Sequence, residues 1–298
     1  MRIGMKGGVL VEVQMDMLTA QQKILMELWA EFDRICKKHD IPYQLFAGTA
    51  LGAVRHKGII PWDDDLDVVL MRADYERFLQ VAPLEVDAEK YFVQKEFSDH
   101  WPMFFSKLRR NNTTFMERLI PRDAQMHQGV YMDIFPCDNL SENKLVRKLQ
   151  FYASKVIIAK SLDARGYLTD SKKKKLFMAA CRCLPKGPFL ALIRQNGKKE
   201  TSCVHTFLGA AKSYEKNVYP REWFLESQSM EFGGALAPVS KYYDLMLTKL
   251  YGDYMIPLPE SQRNAKIHAE IVDLDKPYTE YLEEQRNMKY EEYTISIR

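Results

Sequence analysis

The feature that most constrains this chain is Asp63-Asp64-Asp65-Leu66-Asp67, four carboxylates that run straight into the apolar stretch Val68-Val69-Leu70. Carboxylates this dense repel one another unless positive charge stands between them. A strand begun at Asp65 turns Asp65 and Asp67 to one face and Leu66 to the other, because strand side chains alternate with period two. Two neighbouring carboxylates with no Cys or His set beside them suit Mg²⁺ or Mn²⁺ rather than zinc. For an isolated D-x-D, a solvated acidic turn is the plain alternative.

The surrounding residues shift that balance. Gly48-Thr49 lies a short loop upstream, where a glycine turn can cradle a phosphate opposite a cation. A third carboxylate, Asp133, falls inside the strand candidate Val130-Tyr131-Met132-Asp133-Ile134-Phe135. Carboxylates are seldom buried without a partner. A metal shared by Asp65, Asp67 and Asp133 would supply one.

At 298 residues the chain is long enough for one large domain or two ordinary ones, and 46% hydrophobic with 28% charged residues is globular usage. No stretch approaches the roughly 18 uninterrupted apolar residues of a membrane helix, and no apolar signal core follows the N-terminus. The cytoplasm is the expected compartment. Five cysteines with no C-x-x-C pair are too few to staple such a chain, so reduced thiols are expected. The net charge is only +3, but residues 141 to 216 hold 17 Lys and Arg against 5 Asp and Glu. That segment carries +12 and the rest of the chain −9. Its lysines either solvate amphipathic helices or attract anionic lipid headgroups or a lipid-linked glycan at the inner membrane face. Nucleic acid is the weakest partner, because no nucleic-acid-binding signature accompanies the charge.

Apolar periodicity predicts a helix over residues 18–39 with a capping box at Thr19 and Gln22. Strand candidates follow at 43–47, 65–71, 91–97, 104–108 and 129–135, the last closed by Pro136, with a helix at 74–81 between them. From Ser141 the pattern turns helical: Leu145, Leu149, Tyr152, Val156 and Ile157 form one stripe and residues 172–184 a second. A further helix is predicted over 240–250, followed by a charged tail from Glu280. These spacings predict an α/β (α+β) protein, with a mixed-sheet core and N-terminal helix in residues 1–140. A mainly helical region, 141–298, holds the basic insert (141–216) and a C-terminal segment. The active cleft is expected where the two parts meet.

The run Tyr43-Gln44-Leu45-Phe46-Ala47-Gly48-Thr49-Ala50-Leu51-Gly52-Ala53-Val54-Arg55-His56-Lys57-Gly58, continuing into Ile60-Pro61-Trp62-Asp63-Asp64-Asp65-Leu66-Asp67, resembles the signature of the LicD family. That family has a nucleotidyltransferase-like fold, includes phosphocholine transferases, and is related to fukutin and fukutin-related protein. Ser106-Lys107-Leu108-Arg109, Asp133-Ile134-Phe135-Pro136 and Tyr251-Gly252-Asp253-Tyr254-Met255 extend the resemblance over most of the chain. It implies an enzyme that transfers phosphocholine from CDP-choline to a sugar hydroxyl of a glycan, such as a lipopolysaccharide or teichoic acid precursor, releasing CMP. The metal carboxylates would be Asp65, Asp67 and Asp133, which are also the catalytic residues, with Mg²⁺ or Mn²⁺ between them. Gly48, Thr49, Arg55, Lys57, Lys107 and Arg109 are the candidate donor-binding residues. For Lys57 a solvated loop is the alternative, and for Lys107 and Arg109 a salt bridge to the acidic loop. Asp64 is a candidate to orient the ligands. Trp62 either packs in the core or faces a quaternary ammonium. His56 and His268 admit both structural and chemical roles. The same carboxylates would serve another CDP-alcohol, such as CDP-ribitol or CDP-ethanolamine, or nucleotidyl transfer from a triphosphate. A nucleotide- or glycan-binding scaffold is the non-enzymatic alternative.

Overall fold

Leu25, Leu28, Phe32 and Ile35 recur at helical spacing, and all four are fully buried. Each contributes on the order of 2 kcal/mol by leaving water. In the computed structural model, which describes residues 7–98, 100–194, 200–206, 208–263 and 268–284, they lie on α1 (Gly7–Lys38), whose side chains are described from Met17 onward. The helix therefore extends well upstream of its predicted start. Thr19 and Gln22 sit inside it and form no capping box, because there is no helix terminus there to cap.

The next elements are β1 (Gln44–Leu45), α2 (Ala47–His56), β2 (Asp67–Met71), α3 (Arg72–Glu85), β3 (Tyr91–Gln94), β4 (Ser106–Arg110), β5 (Thr114–Glu117) and β6 (Tyr131–Asn139). The central sheet has the order β1-β2-β6-β4-β3. Only β2 and β6 in it run parallel, with Asp67 opposite Asp133 and Leu70 opposite Pro136. Val68, Leu70, Leu108, Met132 and Ile134 pack with α1 and α3 in one core. The alternate residues Val69, Phe135 and Cys137 join Phe46, Trp101, Phe105 and Tyr219 in a second core on the other face. Asp67 and Asp133 share the parity of that second set, so strand alternation turns both away from α1.

Pro136 does not close β6; the strand continues to Asn139. The ladder to β4 ends at Ile134, and pairing with the next strand on that side begins at Asp138, so the missing proline N–H falls in a gap between neighbours.

The change to helix falls between Asn139 and Lys144, near the predicted boundary: α4 (Lys144–Ala164), α5 (Lys172–Arg182) and α6 (Lys186–Ile193) follow. Strands then return, a departure from a mainly helical second half. β7 (Cys203–His205) adds to the end of β6 and β8 (Val218–Pro220) adds to β7. After the helical turn α7 (Glu222–Leu225), β9 (Ser227–Phe232) and β10 (Ala235–Ser240) form a hairpin; α8 (Tyr243–Tyr251) and the turn α9 (Glu260–Arg263) follow, and β11 (Ala269–Asp273) pairs with β5. The tail from Glu280 is described only to residue 284, where Glu284 pairs with Lys276 at 2.6 Å.

A buried ion pair locks α3 to the sheet. Arg72 donates from Nε and Nη2 to the two carboxylate oxygens of Asp138 at 2.7 and 2.8 Å, and from Nη1 to Glu96, which also receives Arg194. Burial alone would raise the Asp138 carboxyl, yet the Arg72 guanidinium holds it at about 2, below its ordinary value of 3.8. A depressed carboxyl stabilises the fold above its ordinary value, and that contribution fades as pH falls toward the folded-state value. Asp138→Asn should cost about 3 kcal/mol at neutral pH by leaving a buried guanidinium short of charge. Urea unfolding followed from pH 7 down to pH 2 should show the difference from wild type shrinking as Asp138 protonates.

Candidate active site

Three strands carry one row of charge. Asp67 on β2 lies opposite Asp133 on β6, which lies opposite Lys107 on β4. Asp65 precedes β2 by one alternation and shares the face of Asp67. Together with Asp63 and Gly48 from α2, Asp65 and Asp67 line a cleft of about 290 Å³ walled by Arg55, Trp62, Tyr251 and His268. Burial, with repulsion from Asp65 and Asp64, pushes the Asp63 carboxyl up to about 8. Burial raises Asp65 to about 6 even though His268 pulls it down. Asp67 lies well above its ordinary value, from burial and the charges of Asp65 and Asp133. Without a cation these groups cannot all ionise at neutral pH.

Asp133 has a partner in the fold itself. The Lys107 ammonium lies 2.9 Å from Asp133 Oδ1 and 3.7 Å from Glu117 Oε1. It is 2% exposed, seated over the ring of Tyr131 and near Trp101 and Phe105. Its approach to Asp133 is an ion pair without an aligned hydrogen bond, so Asp133 Oδ1 keeps an unused acceptor position. Lys107 thus contacts the strand carboxylate and not the acidic loop. Arg109, two residues on, is also buried and donates to Gln94 Oε1 and Gly129 O, away from the cleft.

The other predicted residues divide in the same way. Thr49 is buried, and its hydroxyl accepts the Asp67 N–H at 2.7 Å, fixing the first residue of β2. A Cβ on Gly48 would stand 3.0 Å from Asp63 Oδ2, so glycine keeps the cleft floor clear. Arg55 reaches the cleft wall while Nη1 donates to Tyr254 O at 2.5 Å. Lys57 caps α2 in a left-handed conformation and pairs with Glu231 at 3.2 Å on the surface; it is not among the cleft residues. Trp62 packs edge-on to His56 and carries the Arg263 guanidinium 4.0 Å from its ring centroid.

Gln21, Gln22 and Tyr251, outside the predicted set, join Asp64 and His268 in holding or flanking the acidic loop. Gln21 Nε2 donates to Asp64 O at 2.7 Å, and Gln22 Nε2 donates to Ile60 O and Asp63 O at 3.0 and 2.9 Å. The buried Asp64 carboxylate accepts from the backbone N–H groups of His268 and Ala269 and pairs with His268 Nδ1 at 2.9 Å. That bond to Asp64 raises the His268 imidazole to about 9. Asp64, Asp65 and His268 bring ligand atoms within 4.8 Å of one another. Asp64 is already engaged with His268, which makes it a tether between the acidic loop and the start of β11. Tyr251 borders the carboxylates, and burial together with the charges of Asp67, Asp63 and Asp65 pushes its phenol up. Gln21 leaves a mark in the sequence as a polar residue on the stripe of Leu18, Leu25, Leu28 and Phe32, and Tyr251 as the first residue of a motif that carries the resemblance.

Comparison with known proteins agrees with this picture. Residues 40–162 match the family model of the LicD/FKTN/FKRP nucleotidyltransferase domain. Over 256 residues, 83% of this chain and 94% of the relative, the chain is 27% identical to the lipopolysaccharide cholinephosphotransferase LicD of Haemophilus influenzae. An uncharacterized protein of Rickettsia typhi is 46% identical over 59 residues, 20% of this chain and 19% of that protein. The resemblance to the LicD family is borne out, and with it the reading of an enzyme of the transferase class.

The glutamine contacts can be tested without any assay of activity. The double variant Gln21→Ala, Gln22→Ala should speed hydrogen exchange of the amides of Ile60 and residues 62–65 by about tenfold, the effect of losing roughly one net hydrogen bond. Exchange along β2 and β6 should stay as in wild type, as mass spectrometry of peptic fragments would show.

Proposed function

We propose that this chain is a cation-assisted transferase that moves a phospho-alcohol group from a nucleotide-linked donor to a sugar hydroxyl. Phosphocholine from CDP-choline is the favoured donor group, and a lipopolysaccharide or teichoic acid precursor the favoured acceptor. The observation that carries this reading is the register of Asp67 beside Asp133, with Asp65 on the same face at the edge of a cleft. Similarity over most of the chain to a lipopolysaccharide cholinephosphotransferase supports the same reading.

Asp65, Asp67 and Asp133 would hold Mg²⁺ or Mn²⁺. The donor set fits a hard divalent cation: its atoms are carboxylate oxygens, burial raises all three carboxyls, the charge of Asp133 adds to the rise of Asp65 and Asp67, and Asp133 Oδ1 has an acceptor position to spare. Bound there, the ion would supply neutralisation of the donor's diphosphate and activation of the attacking hydroxyl.

The chain's own groups do the remaining work. Gly48 leaves room for a phosphate beside the acidic loop, and Arg55 brings a guanidinium to the wall. Asp63 lines the cleft beside Asp65, and its carboxylate, ionised once the neighbouring charges are neutralised, would take the acceptor hydroxyl's proton as the oxygen attacks phosphorus. CMP leaves as the phospho-alcohol passes to the sugar, with no covalent enzyme intermediate. Lys107 lies on the same face as Asp133 and fixes the charge and position of that carboxylate, while Arg109 donates away from the cleft. Lys57 lies outside this set.

Asp67→Asn should lower turnover on the order of a hundredfold or more, the loss typical of removing one preorganised electrostatic group, with circular dichroism unchanged. The assay is CMP release from CDP-choline with Mg²⁺ or Mn²⁺ and a glycan acceptor. Wild-type turnover in that variant would overturn the assignment. Running CDP-ethanolamine, CDP-ribitol and CTP in parallel separates the donors, because nucleotidyl transfer from CTP releases pyrophosphate instead of CMP.

A further inference from the structure

The helices of the basic segment leave several large apolar side chains exposed on their outer side. On α4, Phe151, Ala153 and Ile157 face the protein, while Leu145, Leu149 and Tyr152, spaced by four and three residues, stand 71%, 55% and 62% exposed. Val156, next along that stripe, is where α5 packs against α4. The apolar line therefore runs up to α5, whose outer side carries Leu176 at 74% and Phe177 at 47% exposed. From Leu176 to Ile193 only Met178, Cys181 and Ile193 are buried.

No single helix among the described residues is long and apolar enough to cross a membrane, but α5 and α6 together reach that hydropathy and are bent by 100°. A pair bent so sharply suits a position in the plane of a lipid surface better than a span across it. Cations border the apolar face. Lys144, Lys172, Lys173 and Lys175 have no carboxylate partner within ion-pair distance among the described residues, whereas Arg182 is taken by Asp163.

We propose that the outer face of α4, α5 and α6 docks on a bilayer containing anionic lipid, the leucines and aromatics entering the headgroup boundary and the lysines meeting its negative charge. Charge complementarity singles out this occupant: a +12 segment with unpaired lysines beside exposed apolar side chains matches a negatively charged surface with an apolar interior. A solvated face accounts for the lysines but not for the exposed leucines and phenylalanine.

The test is flotation of the full chain with vesicles of phosphatidylcholine alone and with phosphatidylglycerol added. Wild type should float with the anionic vesicles only, and salt should release it. The triple variant Lys172→Glu, Lys173→Glu, Lys175→Glu should weaken that binding by at least about a hundredfold, since each lysine lost near an anionic surface costs several-fold and each glutamate gained adds repulsion. Acidic residues in the first turn of α5 also suit the helix dipole, so the variant should fold. Leu176→Ser with Phe177→Ser, both exposed, should weaken binding with the charge intact. Failure to float with either vesicle, equal binding to both, or wild-type flotation of the triple variant would each overturn the proposal. None of these readouts depends on transfer activity.

Discussion

The row Asp67, Asp133, Lys107 across β2, β6 and β4 sets the condition that the rest of the molecule must satisfy. Lys107 compensates one carboxylate, and Asp63, Asp65 and Asp67 remain crowded at the cleft, their protonation raised by burial and by one another. Such a cluster opposes folding, so its geometry has to be imposed from outside. Apolar cores on both faces of the sheet hold the strands. Side-chain amides from α1 hold the loop carbonyls, and the Asp64–His268 pair ties the loop to the chain's distal segment.

Much of this was legible from local pattern. Period-two alternation placed Asp65 and Asp67 together, and the pairing of β2 with β6 brought Asp133 to the same row. What pattern could not provide was action between distant segments. Gln21 and Gln22 act on carbonyls some forty residues away, which backbone atoms conceal from any motif. β11 reaches back to β5 across about half of the chain. Lys107, a candidate for donor binding or for a salt bridge to the acidic loop, is the internal counter-charge of Asp133, because β4 and β6 pair in that register. Lys57 followed its backbone instead of its charge, since the left-handed cap of α2 turns it toward Glu231.

The helical segment shows a different limit of periodicity. Leu145, Leu149, Tyr152, Val156 and Ile157 read as one stripe, but the fold divides them. Ile157 belongs to the face that carries Phe151 and Ala153, and the first three residues lie outside it. An apolar repeat reports a face and leaves open what covers that face. Here α5 covers only its far end.

The family match spans residues 40–162, and within it lie Gly48, Thr49, Asp63, Asp64, Asp65, Asp67 and Asp133. Gln21, Gln22, His268 and β11 lie outside it. A fragment trimmed to the matching residues would keep the crowded charge and discard the groups that restrain it. The portable unit of this fold is thus larger than the stretch that similarity detects, and its ends are set by where the acidic loop is held.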